Sequence, residues 1–104
     1  MTVITTQNEA GEIGWYEETQ IGGTGAVAVT LFGGLIPVNG YEIINLHATE
    51  NLYFREGSTA GVADGKSAPI GPLDAYVTPA GYKPVSIVSV NATTAAHPWI
   101  GRAF

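Results

Sequence analysis

The apolar residues of this chain come in short runs, and glycine or proline interrupts or ends nearly every one. That punctuation limits what the chain can fold into. An amphipathic helix needs ten or more residues of unbroken 3.6-residue periodicity, and no segment here supplies it. Thr24 to Phe32 (TGAVAVTLF) instead alternates, with Val27, Val29 and Leu31 on one face and Ala26, Ala28, Thr30 and Phe32 on the other. Strand-type runs follow at Tyr41 to Ala48, Asn51 to Glu56, Leu73 to Thr78, Val85 to Thr93 and Trp99 to Phe104. Weaker ones lie at Gly14 to Gln20 and Leu35 to Val38. In the run from Asn51, Leu52 and Phe54 share the core-facing side, and Tyr53 and Arg55 share the other. Six to eight short strands in 104 residues without a helix predict an all-β protein. The expected form is a single-domain antiparallel β-sandwich, jelly-roll or Ig-like, over residues 24–104, preceded by an extended N-terminal arm over 1–23.

The turn residues agree. Asn39-Gly40 predicts a type I′ hairpin turn, which needs positive φ at both central residues. Asp64-Gly65 is a second such signal, and Thr78-Pro79-Ala80-Gly81 suits a type I turn with proline at its second position. Gly57 to Pro72 is too rich in Gly, Pro and small residues for regular strand, and predicts a long loop or loose hairpin over one end of the sandwich.

Charge is scarce. Only 12% of residues are Asp, Glu, Lys or Arg, about half of the ~25% usual in soluble domains. It is also uneven: Glu9, Glu12, Glu17, Glu18, Glu42 and Glu50 precede the first basic residue, Arg55. From there on, three acids meet four bases, and the net charge is −5. Two readings stand, an acidic first half that docks on a basic neighbour or a solvated acidic segment. Ile43-Ile44 and Ile87-Val88 put apolar residues on both faces of their strands, where a half-exposed strand should alternate. Either a bulge shifts the phase or the outer faces are covered, and cover by a partner subunit is the favoured expectation.

Several functional classes drop out. Four basic residues on an acidic chain make no nucleic-acid footprint. The longest apolar stretch, Ala26 to Val38, is broken by Thr30, Gly33, Gly34 and Pro37, so no membrane span is expected. Residues 1–6 show no secretory signal pattern, and there is no cysteine for a disulfide or thiolate site. Gly22-Gly23-Thr24-Gly25 leads into a strand instead of the helix that a phosphate loop requires. His47 and His97 lack a metal-type spacing, and no nucleophile elbow is present. The expectation is therefore no catalytic residue, no cofactor and no metal. Trp15, Tyr16, Tyr41, Tyr53, Tyr76, Tyr82 and Trp99 could form a sugar-stacking face, but core or protein-interface placement is the favoured reading of such residues.

From Tyr41 to Thr94 the sequence resembles small β-rich virion proteins of tailed bacteriophages, of the head-decoration or fibre type. The pieces are Ile44-Asn45-Leu46, Leu52-Tyr53-Phe54, Gly57 to Gly61, Ile70 to Tyr76 and Ser86 to Thr94. The resemblance implies a structural protein of the virion, binding the major capsid protein or another virion protein as a homo-oligomer, with a trimer favoured. On that reading Trp15, Tyr16, Leu31, Phe32 and Trp99 are candidate interface anchors, with core placement the competing reading for each. The alternatives are a carbohydrate- or receptor-binding module and a fibre, tail or head-completion component.

Overall fold

A computed structural model describes residues 27–104 throughout, and residues 2–7 and 13–20 as backbone strands. Nine strands are formed among the described residues: β1 (Thr2–Gln7), β2 (Ile13–Gln20), β3 (Val29–Thr30), β4 (Tyr41–Asn45), β5 (Leu52–Glu56), β6 (Ala68–Ile70), β7 (Ala75–Val77), β8 (Val88–Asn91) and β9 (Trp99–Ala103). Among those residues the helical content is one 3-10 turn, Phe32–Gly34, and no helix is long and apolar enough to cross a membrane.

The strands form two antiparallel sheets, ordered β1-β2-β9-β4-β7 and β3-β8-β5-β6. Strand β2 pairs with β9, β3 with β8, β4 with β7 and β5 with β6. The chain is thus a two-stranded ribbon, doubled back between β5 and β6. Rolling it up brings β4 against β9 and β5 against β8. This is the strand order of a jelly roll, so of the two expected sandwich types the Ig-like one is excluded. The proposed boundary between arm and sandwich, at residues 23 and 24, lies outside the described residues. Two segments of the expected arm are strands of the five-stranded sheet, and β2 hydrogen-bonds directly to β9.

Alternation on β4 and β9 builds the core. Tyr41, Ile43 and Asn45 point inward while Glu42 and Ile44 do not; on β9, Trp99, Gly101 and Ala103 are buried between outward Ile100 and Arg102. Leu52 and Phe54 of β5 face inward as their spacing predicts. Tyr41 joins the sheets, its ring edge-on to Phe54 of the opposite sheet at 6.4 Å and 6.2 Å from Phe32. Such pairs add about 0.5–1.5 kcal/mol beyond their buried area. Burial and the nearby Glu56 carboxylate push the Tyr41 hydroxyl well above the usual tyrosine range.

Several local expectations are corrected. Within the described part of the run from Thr24, residues 27–32, strand is formed only at Val29–Thr30, because Phe32, Gly33 and Gly34 all take positive φ and end it. The kink turns Leu31 and Phe32 both inward, where strict alternation would have separated them. Leu35 to Val38 forms no strand, and the tight turn there is closed by the Gly40 N–H donating to Pro37 O at 2.9 Å. Its central residues, Val38 and Asn39, have no positive φ, so the predicted type I′ turn is absent. The turn after β7 is displaced by one residue, with Tyr82 N–H donating to Pro79 O and Gly81 at φ +83° in its third position. The small-residue stretch from Gly57 is a loose hairpin whose returning arm is β6, a strand its composition hid.

Part of the outer face is covered by the chain itself. All four residues of β8 are buried: Val88 and Val90 in the core, Ser89 and Asn91 on the outside. Ser89 Oγ accepts the Ala60 N–H and donates to Ser58 O, and Asn91 Nδ2 donates to Ala60 O. At Ser89 and Asn91 the chain's own β5–β6 connection provides the cover, whereas Ile87, one of the apolar residues behind the expectation, is exposed. Ile44 is half-buried beside its register partners Ala75 and Ile100.

Candidate functional site

Leu31, Phe32 and Trp99 are core residues and not surface anchors, each fully buried within its own chain. The side chains of Trp15 and Tyr16 lie outside the described residues. The sugar-stacking set disperses too: Tyr41 and Trp99 are interior, Tyr53 and Tyr76 half-buried, and Tyr82 exposed. The exposed apolar side chains sit on connections and at an edge. Tyr82, Val85 and Ile87 belong to the β7–β8 connection, and Val85 is 86% exposed. They border the end of β5, where the Tyr82 hydroxyl donates to Glu56 Oε2 at 2.7 Å and the Gly57 N–H donates to Ile87 O. Val77, half exposed, lies on β7, the edge of its sheet.

A second cluster lies where β4 ends, and sequence spacing gave no sign of it. Three connections meet there, since Asn45 N–H donates to Asp74 O, Leu46 N–H to Pro98 O and Leu73 N–H to His47 O. Leu73 is 68% exposed and holds φ +58°, an uncommon conformation for a non-glycine residue. At the centre is Asn45, fully buried. Its Nδ2 donates to the carbonyls of Glu50, Ile70 and Gly71 at 2.9–3.0 Å. Its Oδ1 accepts the His47 N–H at 3.0 Å and the His97 ring Nε2 at 2.7 Å.

His97 is fully buried and its ring stacks on that of half-buried His47, centroids 4.8 Å apart. Burial, with His47 beside it, lowers the His97 pKa, and the Glu50 carboxylate partly opposes this. The net effect favours the neutral ring over the charged one. His47 Nδ1 accepts the N–H groups of Thr49 and Glu50 and so caps the turn between β4 and β5. Both carboxylate oxygens of Glu50 lie within hydrogen-bond reach of the Thr94 hydroxyl, at 2.5 and 2.8 Å. His47 and His97 are fifty residues apart, and only the rolling of β4 against β9 brings them together. No enclosed cavity opens among the described residues.

Comparison with known proteins supplies no relative: no family model matches the chain, and neither do the curated proteins or the solved structures searched.

Proposed function

We propose that this chain is a structural assembly protein, a capsid decoration module of the tailed-phage type that binds the surface of a virion head as a homo-oligomer, with a trimer favoured. The observation that carries the reading is the apolar surface of the β7–β8 connection, with Tyr82, Val85 and Ile87 exposed on a chain of unusually low charge. An exposed apolar patch rimmed by polar groups is the ordinary mark of an association surface. The resemblance of residues 41–94 to small virion proteins points the same way. Jelly rolls serve in capsid and lectin domains alike, so the fold adds support by analogy alone. The role assigns no catalytic residue.

Size-exclusion chromatography with light scattering, across a concentration series, tests the reading. An oligomer is expected, and Val85→Asp with Ile87→Asp should dissociate it without changing the circular dichroism spectrum. Cryo-electron microscopy of particles decorated with the chain would locate it. A monodisperse monomer at high concentration that also ignores capsid shells sinks the proposal. A glycan array with clear hits, lost on Tyr82→Ala, would favour the carbohydrate-binding alternative.

A further inference from the structure

The polar cluster at the end of β4 contains one atom that the fold leaves unbonded. Three carbonyls around Asn45 Nδ2 fix which way its amide faces, so Oδ1 is the atom turned to the His97 ring. An oxygen there demands a donor, which puts the ring proton on Nε2 and the lone pair of the neutral imidazole on Nδ1. Nδ1 is buried and has no hydrogen-bond partner among the described residues. Buried polar atoms are almost always bonded, and an acceptor left bare asks what it is for. Nearby stand His47 and Glu50, and one ligand atom from each of the three residues lies within 4.8 Å of the others.

We propose that His97, Glu50 and His47 bind a divalent transition-metal ion of the zinc class, with His97 Nδ1 as the pre-oriented ligand. Two imidazole nitrogens and one carboxylate oxygen suit Zn²⁺ and its neighbours, whereas Mg²⁺ and Ca²⁺ prefer oxygen throughout. Asn45 has the part that outer-shell carbonyls take at such centres, accepting the far N–H of a ligating histidine and fixing its tautomer and ring plane. Bonds of roughly 2.0–2.2 Å place tetrahedral ligand atoms about 3.3–3.6 Å apart, so the cluster contracts on binding.

The contraction falls on the half-buried residues, because His97 is locked by Asn45. Glu50 can keep the Thr94 hydroxyl on one oxygen and present the other. His47 offers a ring nitrogen from a turn that solvent reaches, where its Nδ1 accepts the N–H groups of Thr49 and Glu50. Water completes the coordination. The ion would tie the β4–β5 connection to the β8–β9 connection, two segments that the fold already holds together through Asn45. This inference does not rest on the proposed assembly role.

The test is Zn²⁺ titration of the full chain, freed of metal with a chelator, by calorimetry and by competition with a chromophoric chelator. One equivalent should bind and raise Tm, and Mg²⁺ or Ca²⁺ should do neither. Glu50→Gln and His47→Ala should each weaken Zn²⁺ at least about tenfold while the metal-free proteins stay folded. His97→Gln should abolish binding. Because His97 is interior, the two half-buried variants carry the test if that protein fails to fold. By NMR, Zn²⁺ should shift the Nδ1 resonance of His97 and leave its Nε2 proton in place. No saturable binding, or one equivalent bound with unchanged affinity in both Glu50→Gln and His47→Ala, overturns the proposal.

Discussion

Asn45 shows how much one side chain can organise. Its amide serves three carbonyls, one backbone N–H and one ring nitrogen: His47 and Glu50 belong to the turn that follows it, and Ile70, Gly71 and His97 come from connections distant in sequence. Removing it strands several buried groups at once, and each unsatisfied one costs about 1–3 kcal/mol. Asn45→Ala should therefore destabilise the fold by roughly 3 kcal/mol or more, read from the midpoint of denaturant unfolding. Gly40 is constrained differently. It holds φ +98°, and a Cβ there would collide with Thr78 Oγ1, the group that accepts the Tyr41 N–H. Gly65 also has positive φ but opens onto free space. Gly65→Ala should cost about 1 kcal/mol and Gly40→Ala about 2–3 kcal/mol, the difference measuring the collision.

At the level of elements, β8 is the strand whose environment departs most from its sequence. Ser89 and Asn91 would face solvent on an open sheet, yet both are buried beneath residues 58–60 of the same chain. Ser89→Ala removes an acceptor for the Ala60 N–H and a donor to Ser58 O. The expected cost is about 1–2 kcal/mol. Hydrogen exchange should locate the effect, with the Ala60 amide losing protection while the amides of β4 and β9 keep theirs. Uniform loss of protection would mean that this connection and the sheet open as one unit. By contrast, Glu42 and Arg102, cross-strand partners 3.2 Å apart and both partly exposed, contribute at most about 1 kcal/mol.

For the whole molecule, the rolled ribbon decides what truncation does. β1 is an edge strand, whereas β2 covers one side of β9. Deleting residues 1–12 should leave a folded protein with slightly lower Tm. Deleting residues 1–22 bares the backbone of β9, and aggregation is the expected outcome, visible by light scattering. The longer deletion therefore disturbs the sandwich as well as any docking segment. Rolling also mixes the two unequally charged halves of the chain. Glu42 bonds to Arg102, and Glu17 occupies the register position opposite Arg102 on the other side. A linear excess of acid before Arg55 thus does not map onto one acidic face of the sheet.

Fold class was legible in the sequence because alternation and Gly/Pro punctuation act over a few residues. The inward positions of Leu52 and Phe54 follow directly from that period of two. Short strands such as β6 were not legible, since pairing with β5 sustains three residues whose own composition reads as loop. Nor was the histidine cluster, because β4 and β9 meet across more than fifty residues and no local spacing encodes their register. Sequence alone determined that the chain builds strands and which faces of several of them are apolar. Only the tertiary structure decided that Leu31, Phe32 and Trp99 lie inside, that the chain covers its own outer face at β8, and that Asn45 aims the His97 ring. Local propensity reaches a few residues along the chain, whereas those outcomes depend on which distant strands share hydrogen bonds.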